Sequence, residues 1–429
     1  MTPDILARFR QEAFSAWRGP SPPSIPDRPG ERPSDRWRSA VLVVTSVACG
    51  GIGWSGHVLL LPVATLFPAL WAMAPSRPIA AFVSAGYFLA ASRGLPQGVA
   101  NFYAADLSPG LLLWLIASAA FVVVHTALWT KPRGEDASAK KSADAARAAR
   151  YLLALVLIGL PPFGITGWAH PLTAAGVLFP AWGWWGLAAT VAGLATMTSR
   201  GRLAAALVLG GFWARSAATW TEARLPEGWK GVDLELGETL GRDTSFARHR
   251  VLMDTVLRSA RDGDRIVVLP ESALGFWTPT VERLWREALR GHDITVIAGA
   301  AVIERRGYDN VMVAVAGNEA RILYRERMPV PGSMWQPWLS WTGQVGGANA
   351  DFFGNPVVEI GEERIAPLIC YEQLLLWPVL QSILHAPAVI VATGNGWWTK
   401  GTSIVSIQKA SVIAWGKLFD IPVVMAFNT

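Results

Sequence analysis

Two reactive groups stand just past the ends of apolar runs. Glu271 follows "RIVVL" in "VVLPESALGF", and Cys370 ends the run in "RIAPLICYEQLL", with Tyr371 and Glu372 directly behind it. Cysteine is scarce: Cys49 and Cys370 are the only two in 429 residues. The thiolate is the attacking species and a free thiol has a pKa of about 8.5, so a carboxylate that takes the proton during attack makes a useful partner. Taken singly, a lone cysteine is also a small hydrophobe and a strand-end glutamate also a helix cap. Together, in corresponding positions, they suggest a base and a nucleophile. Cys49 lies inside an apolar run far from Cys370, so no disulfide is expected. Nothing in these motifs calls for a metal or cofactor.

The elements that must position this pair follow Trp229. "KGVDLEL" (230–236) and "RIVVL" (265–269) predict strands, and 244–261 predicts an amphipathic helix between them. A helix over 279–290 precedes strands at 294–303, 310–316 and 321–327. A strand over 363–369 runs into Cys370, and a helix over 374–385 leads to the strand "AVIVAT" (388–393). A helix over 402–418 and the strand "PVVMAF" (422–427) complete the pattern. Such alternation argues for layered α/β packing, with reactive groups just past the carboxyl ends of strands.

Upstream the chain changes character. It is 52% hydrophobic and only 16% charged, against about 25% charged in soluble domains. Apolar runs near 39–56, 58–74, 78–95, 110–129, 151–169, 173–197 and 203–220 each approach the ~20 residues needed to cross a bilayer. Basic residues gather in the polar leader 1–38, in 130–150 and at Arg200 and Arg202. Placing all three in the cytoplasm requires seven crossings and puts the rest of the chain outside. The expectation is therefore an N-terminal all-α transmembrane bundle of about seven helices over 39–220. A C-terminal α/β domain over 221–429 would face the periplasm of a multi-pass bacterial inner-membrane protein. His125 and Arg215 are the clear ionisable groups within the runs, which favours an anchor with lipid access over a transporter. Trp182, Trp184 and Trp185 suit interfacial anchoring. The formal charge of +6 is read as topological, and direct nucleic-acid contact is not expected.

"LPESALGFW", "PLICYEQLL" and "ATGNGWWTKG", with "QKASVIAWGKLFDIPVVMAFNT", resemble the carbon–nitrogen hydrolase, or nitrilase, superfamily. Seven apolar runs ahead of them resemble its apolipoprotein N-acyltransferase branch. A shorter plasmid-encoded relative that serves conjugal transfer is similar in size and in "PVPGSMWQPW". The resemblance implies an αββα sandwich, a Glu–Lys–Cys triad and acyl transfer from a phospholipid to an amine through a cysteine thioester. Carried over by position, Glu271 is the general base, Cys370 the nucleophile and Glu372 the second carboxylate, with Tyr371 lining the acyl pocket.

The middle motif departs from the family's Tyr-x-Lys. Here "YRERMPVPGSMW" (324–335) puts Glu326 in the lysine slot and Met334 where a loop glutamate belongs. Arg325 or Arg327, one residue to either side, would then steady the oxyanion. Trp335 and Trp338 in "MWQPWLSW" (334–341) belong either to a core-facing loop or to a lipid-dipping lid that meets substrate. "GNGWW" (394–398) predicts a tight turn near the same cleft. Members of the branch continue past "FNT" with further strands and a closing helix, whereas this chain stops at Thr429. Expected partners are a membrane phospholipid or other acyl donor and a lipoprotein or conjugation-machinery component. Two functions follow: a membrane-bound acyltransferase or amidase, or a catalytically weakened structural or maturation factor for plasmid conjugation.

Overall fold

β-branched residues in succession favour an extended chain buried on both faces, and "RIVVL" behaves so: Ile266–Val268 is an inner strand. The structure, a computed structural model, describes residues 33–131, 137–241 and 245–429; the polar leader thus lies outside the described residues up to 32. One sheet runs β1 (Trp229–Gly231), β2 (Ile266–Val268), β3 (Thr295–Glu304), β4 (Gly307–Val315) and β5 (Ala320–Arg325), in that spatial order. β1 to β3 are parallel, and β4 and β5 return antiparallel. The second sheet runs β6 (Val358–Ile360), β7 (Glu363–Ile369), β8 (Val389–Asn395) and β9 (Val423–Asn428), with β7 to β9 parallel.

The inner faces of the two sheets meet in one buried cluster. Val268, Ile297 and Met312 come from the first sheet, and Ile369, Val391 and Val424 from the second. Helices Phe246–Arg261 and Pro279–Ala288 cover the first sheet, packing Leu252, Val256 and Trp285 on Val267, Val296 and Val313. Each begins at a side-chain cap: Ser245 accepts from the Arg248 N–H and Thr278 from the Val281 N–H. Helices Leu376–Ile383 and Ile404–Phe419 cover the second sheet. The layers are therefore α, β, β, α, and the ends of β2 and β7 open toward the space between the sheets.

The N-terminal half corrects the membrane expectation. Among the described residues only Leu107–Leu128 is long and apolar enough to cross a bilayer, so the structure holds no seven-helix transmembrane bundle. Arg77–Ala91 and Gly183–Met197 have 15 residues each and Arg202–Ala218 has 17, short of the ~20 required. The 58–74 run is a 3-10 segment, Val58–Leu66, followed by a short helix, Phe67–Met73. Its apolar letters go into protein packing. Trp54, Phe67, Trp71, Tyr87 and Phe179 share one buried cluster with Val412 and Trp415 of helix Ile404–Phe419. The multi-pass inner-membrane placement with a periplasmic catalytic half falls with the bundle. Apolar runs covered by protein and apolar runs covered by lipid read alike in sequence.

The contact between this half and the sheet-covering helix is close. A Cβ on Gly176 would lie 1.7 Å from the Ala414 carbonyl oxygen, and a backbone atom cannot swing aside. Gly176→Val is therefore expected to lower stability by about 1–3 kcal/mol, read as a lower denaturation midpoint; an unchanged midpoint would refute this packing.

Candidate active site

Pro270 carries the chain out of β2 and turns Glu271 toward the second sheet. Gly299 on β3 allows that turn to lie close, since a Cβ there would sit 2.4 Å from the Glu271 Cα. The Glu271 carboxyl is buried and receives two donors, Asn310 Nδ2 to Oε1 at 2.8 Å and the Asn395 backbone N–H to Oε2 at 3.0 Å, with the Cys370 thiol next to it. Sequence reading placed these two groups together, and the structure brings them into contact.

Cys370 follows β7 with φ +46, a left-handed conformation that costs a non-glycine residue about 1–2 kcal/mol. The strand thereby turns sharply into the short segment Cys370–Leu374, leaving the sulfur at the turn. Gln408, from helix Ile404–Phe419, donates to the Cys370 carbonyl at 2.8 Å and lies 3.7 Å from Sγ. The thiol is only 7% exposed. Burial first, then the charges of Glu271 and Glu326, hold its pKa well above the ordinary value. At rest the sulfur thus keeps its proton, and attack requires Glu271 to remove it. Burial raises the Glu271 carboxyl as well, while Asn310, the neighbouring thiol and the Asn395 N–H pull in the opposite direction, which suits it to accept a proton.

Glu372 plays another part. It accepts from the Ile369 N–H (2.8 Å), the Arg327 N–H (2.9 Å), the Met328 N–H (3.3 Å) and the Tyr324 hydroxyl (2.7 Å). It therefore pins the turn holding Cys370 to the end of β5. Arg327 is turned the same way: Nε donates to Tyr324, Nη1 to Gln381 at 2.8 Å, and Nη2 to Ser382 and the Pro378 carbonyl. Its nitrogens are all engaged away from the thiol. Arg325 projects outward to Glu304 and Asp309. Neither arginine stands where an oxyanion at Cys370 would form.

The lysine slot is occupied instead by Glu326, 4% exposed, whose Oε2 accepts from Asn310 Nδ2 at 2.8 Å. One amide NH2 thus bridges Glu326 and Glu271. Tyr371 points away from the thiol, its hydroxyl donating to the Ile165 carbonyl at 3.1 Å. Trp335 packs edge-on against Phe352, with ring centres 5.2 Å apart, while Trp338 is exposed.

The arrangement so far comprises a cysteine at a strained strand end, a buried carboxyl beside its thiol, and a Tyr-x-Glu segment beside both. The profile of the carbon–nitrogen hydrolase family matches residues 89–417. The chain belongs to the carbon–nitrogen hydrolase family. It is 64% identical over 429 residues to the conjugal transfer protein TraB of Agrobacterium fabrum, with 100% of both chains covered. It is 62% identical over 395 residues to the probable conjugal transfer protein TraB of Sinorhizobium fredii, covering 92% of this chain and 99% of that one. Among solved structures it is similar to an amidase of the nitrilase superfamily from Nesterenkonia AN1, at 13% identity and a TM-score of 0.34, over 48% of this chain and 78% of the other.

Three site residues of this carbon–nitrogen hydrolase escaped sequence reading: Asn310, Gln408 and Asn395. Asn310 left a trace, being a lone amide at the head of the apolar strand "NVMVAVAG". Gln408 is likewise a polar letter on the buried side of an apolar helix. The Asn395 contact uses the backbone, which leaves no mark on residue type.

Proposed function

We propose that the chain is a cysteine-dependent acyltransferase or amidase that acts in plasmid conjugation, with Cys370 as nucleophile and Glu271 as general base. The burial of the Glu271 carboxyl beside the Cys370 thiol, at a strained strand end, carries this reading. Glu271 takes the thiol proton as sulfur bonds to an ester or amide carbonyl carbon, and the carbonyl electron pair moves to oxygen. On collapse that pair re-forms the carbonyl, the bond to the leaving group breaks, and Glu271 returns the proton to the departing atom. An amine or water then repeats the sequence on the thioester and releases the thiol. The donor is a phospholipid ester and the acceptor an amine on a component of the conjugation machinery.

The test is acylation of the purified full chain by an activated long-chain ester and by a phospholipid, read by intact mass. A thioester adduct on wild type and none on Cys370→Ala is expected. No adduct on wild type with either donor would overturn the reading. The second reading, a weakened relative kept for a structural role, is favoured by Glu326 in place of lysine; it expects Cys370→Ala to support conjugation as well as wild type does.

A further inference from the structure

Among the described residues, the charged groups that act on the thiol are acids, Glu271 and Glu326. Glu271 enters from β2, Glu326 from the end of β5 and Cys370 from β7. Glu372 lies behind them and Tyr308 beside them on β4, where the charges of Glu326 and Glu271 add to burial in raising its hydroxyl. Arg325 and Arg327 are engaged elsewhere. Asn310 gives one N–H to each of two carboxyls, at 2.8 Å in both cases. Beyond that shared amide the two differ. Glu271 has a further donor, the Asn395 N–H, and the Cys370 thiol beside it. Glu326 has none, and its Oε1 is buried with no hydrogen-bond partner among the described residues.

Two carboxyls on one amide in a dry site cannot both ionise cheaply. The charge settles where the donors are, on Glu271, and the proton where they are lacking. A protonated Oε1 has an O–H and nothing in the resting site to receive it. The geometry points to a neutral carboxyl at Glu326 whose Oε1–H bonds the oxyanion formed as Cys370 attacks, in the place where a cation would otherwise stand. No proton crosses in this step: the hydrogen bond from Oε1–H shortens as charge builds on the oxygen and relaxes when the carbonyl re-forms. A neutral acid kept as a donor by its apolar surroundings is a known catalytic device. This inference rests on the acyl-transfer reading. It deepens that reading by supplying the electrophilic partner that the missing lysine leaves open.

The proton is read first, without activity. Infrared spectra of the full chain at pH 7 should show a protonated buried carboxyl band that Glu326→Gln removes and Glu271→Gln keeps. The reverse pattern, or no such band, would overturn the assignment. Burial, with the charges of Glu271 and Glu372, holds the Glu326 carboxyl well above its usual 4.5. Its contribution to stability is therefore complete below that value and is lost as pH rises toward the folded-state pKa. Across that window Glu326→Gln should gain on wild type about tenfold in the folding constant per pH unit.

The donor role is read from acylation rates. Glu326→Leu, close in volume, is expected to slow adduct formation about 10²–10³-fold, the usual loss of one oxyanion donor. Glu326→Gln offers an N–H in the same place and should recover most of that loss. It should also lack the wild-type fall in rate at alkaline pH, where Glu326 ionises. Equal rates in Leu and Gln variants would overturn the donor role. A wild-type chain inert to both acyl donors removes the Cys370 chemistry and the donor role with it, while the infrared band still reports where the proton sits.

Discussion

Glu271→Gln should slow acylation of Cys370 about 10²–10⁴-fold, the usual contribution of a positioned base, and leave the fold standing. The amide keeps the shape and its one oxygen can still accept from Asn310 or from the Asn395 N–H, which reach different oxygens of the carboxyl, but it cannot take a proton. Burial and nearby charge hold the thiol protonated at rest, so attack at neutral pH needs a group that takes the proton. The rate should recover as pH rises, since hydroxide then generates the thiolate that Glu271 no longer assists. Time-resolved intact mass across pH would check this; a rate equal to wild type at neutral pH would remove Glu271 from the chemistry.

The second large effect is structural. Arg327 and Glu372 are both 0% exposed, with Nε and Oε1 3.7 Å apart. Removing one partner leaves an uncompensated charge in the interior, typically costing about 3–5 kcal/mol. Arg327→Met is expected to fall in that range by denaturant unfolding. Arg327→Met with Glu372→Gln should recover much of the loss, because no charge is then left unpaired and the amide oxygen still accepts from Tyr324 and the backbone N–H of residue 327, which share Oε1. If the single variant unfolds like wild type, the clamp contributes nothing. If instead it stays folded but no longer forms an adduct while the double variant does, Glu372 acts on the turn that carries the thiol.

Particular residues show how far letters alone reach. The strands before Glu271 and Cys370 are legible because β-branched runs admit few other conformations, and the carboxyl ends of parallel strands gather reactive groups. The meeting of the two groups was readable on that basis. The direction of Arg327 was not. Strict alternation would place it on the same face as Arg325, but β5 ends at Arg325. Beyond that point the backbone is no longer a pleated strand, and Arg327 turns inward to Gln381 and Ser382. The seven apolar runs misled for a different reason: composition records that a surface is apolar and omits what covers it. Here the second sheet's helices supply that cover.

Tyr371 is covalently next to the nucleophile, yet its hydroxyl is anchored on the Ile165 carbonyl of the helical half. The ring thus spans from the turn that carries the sulfur to the chain at residue 165. A substitution that displaces the Ile165 carbonyl would therefore free the far end of the side chain adjoining the sulfur, a rigid ring with only two soft torsions.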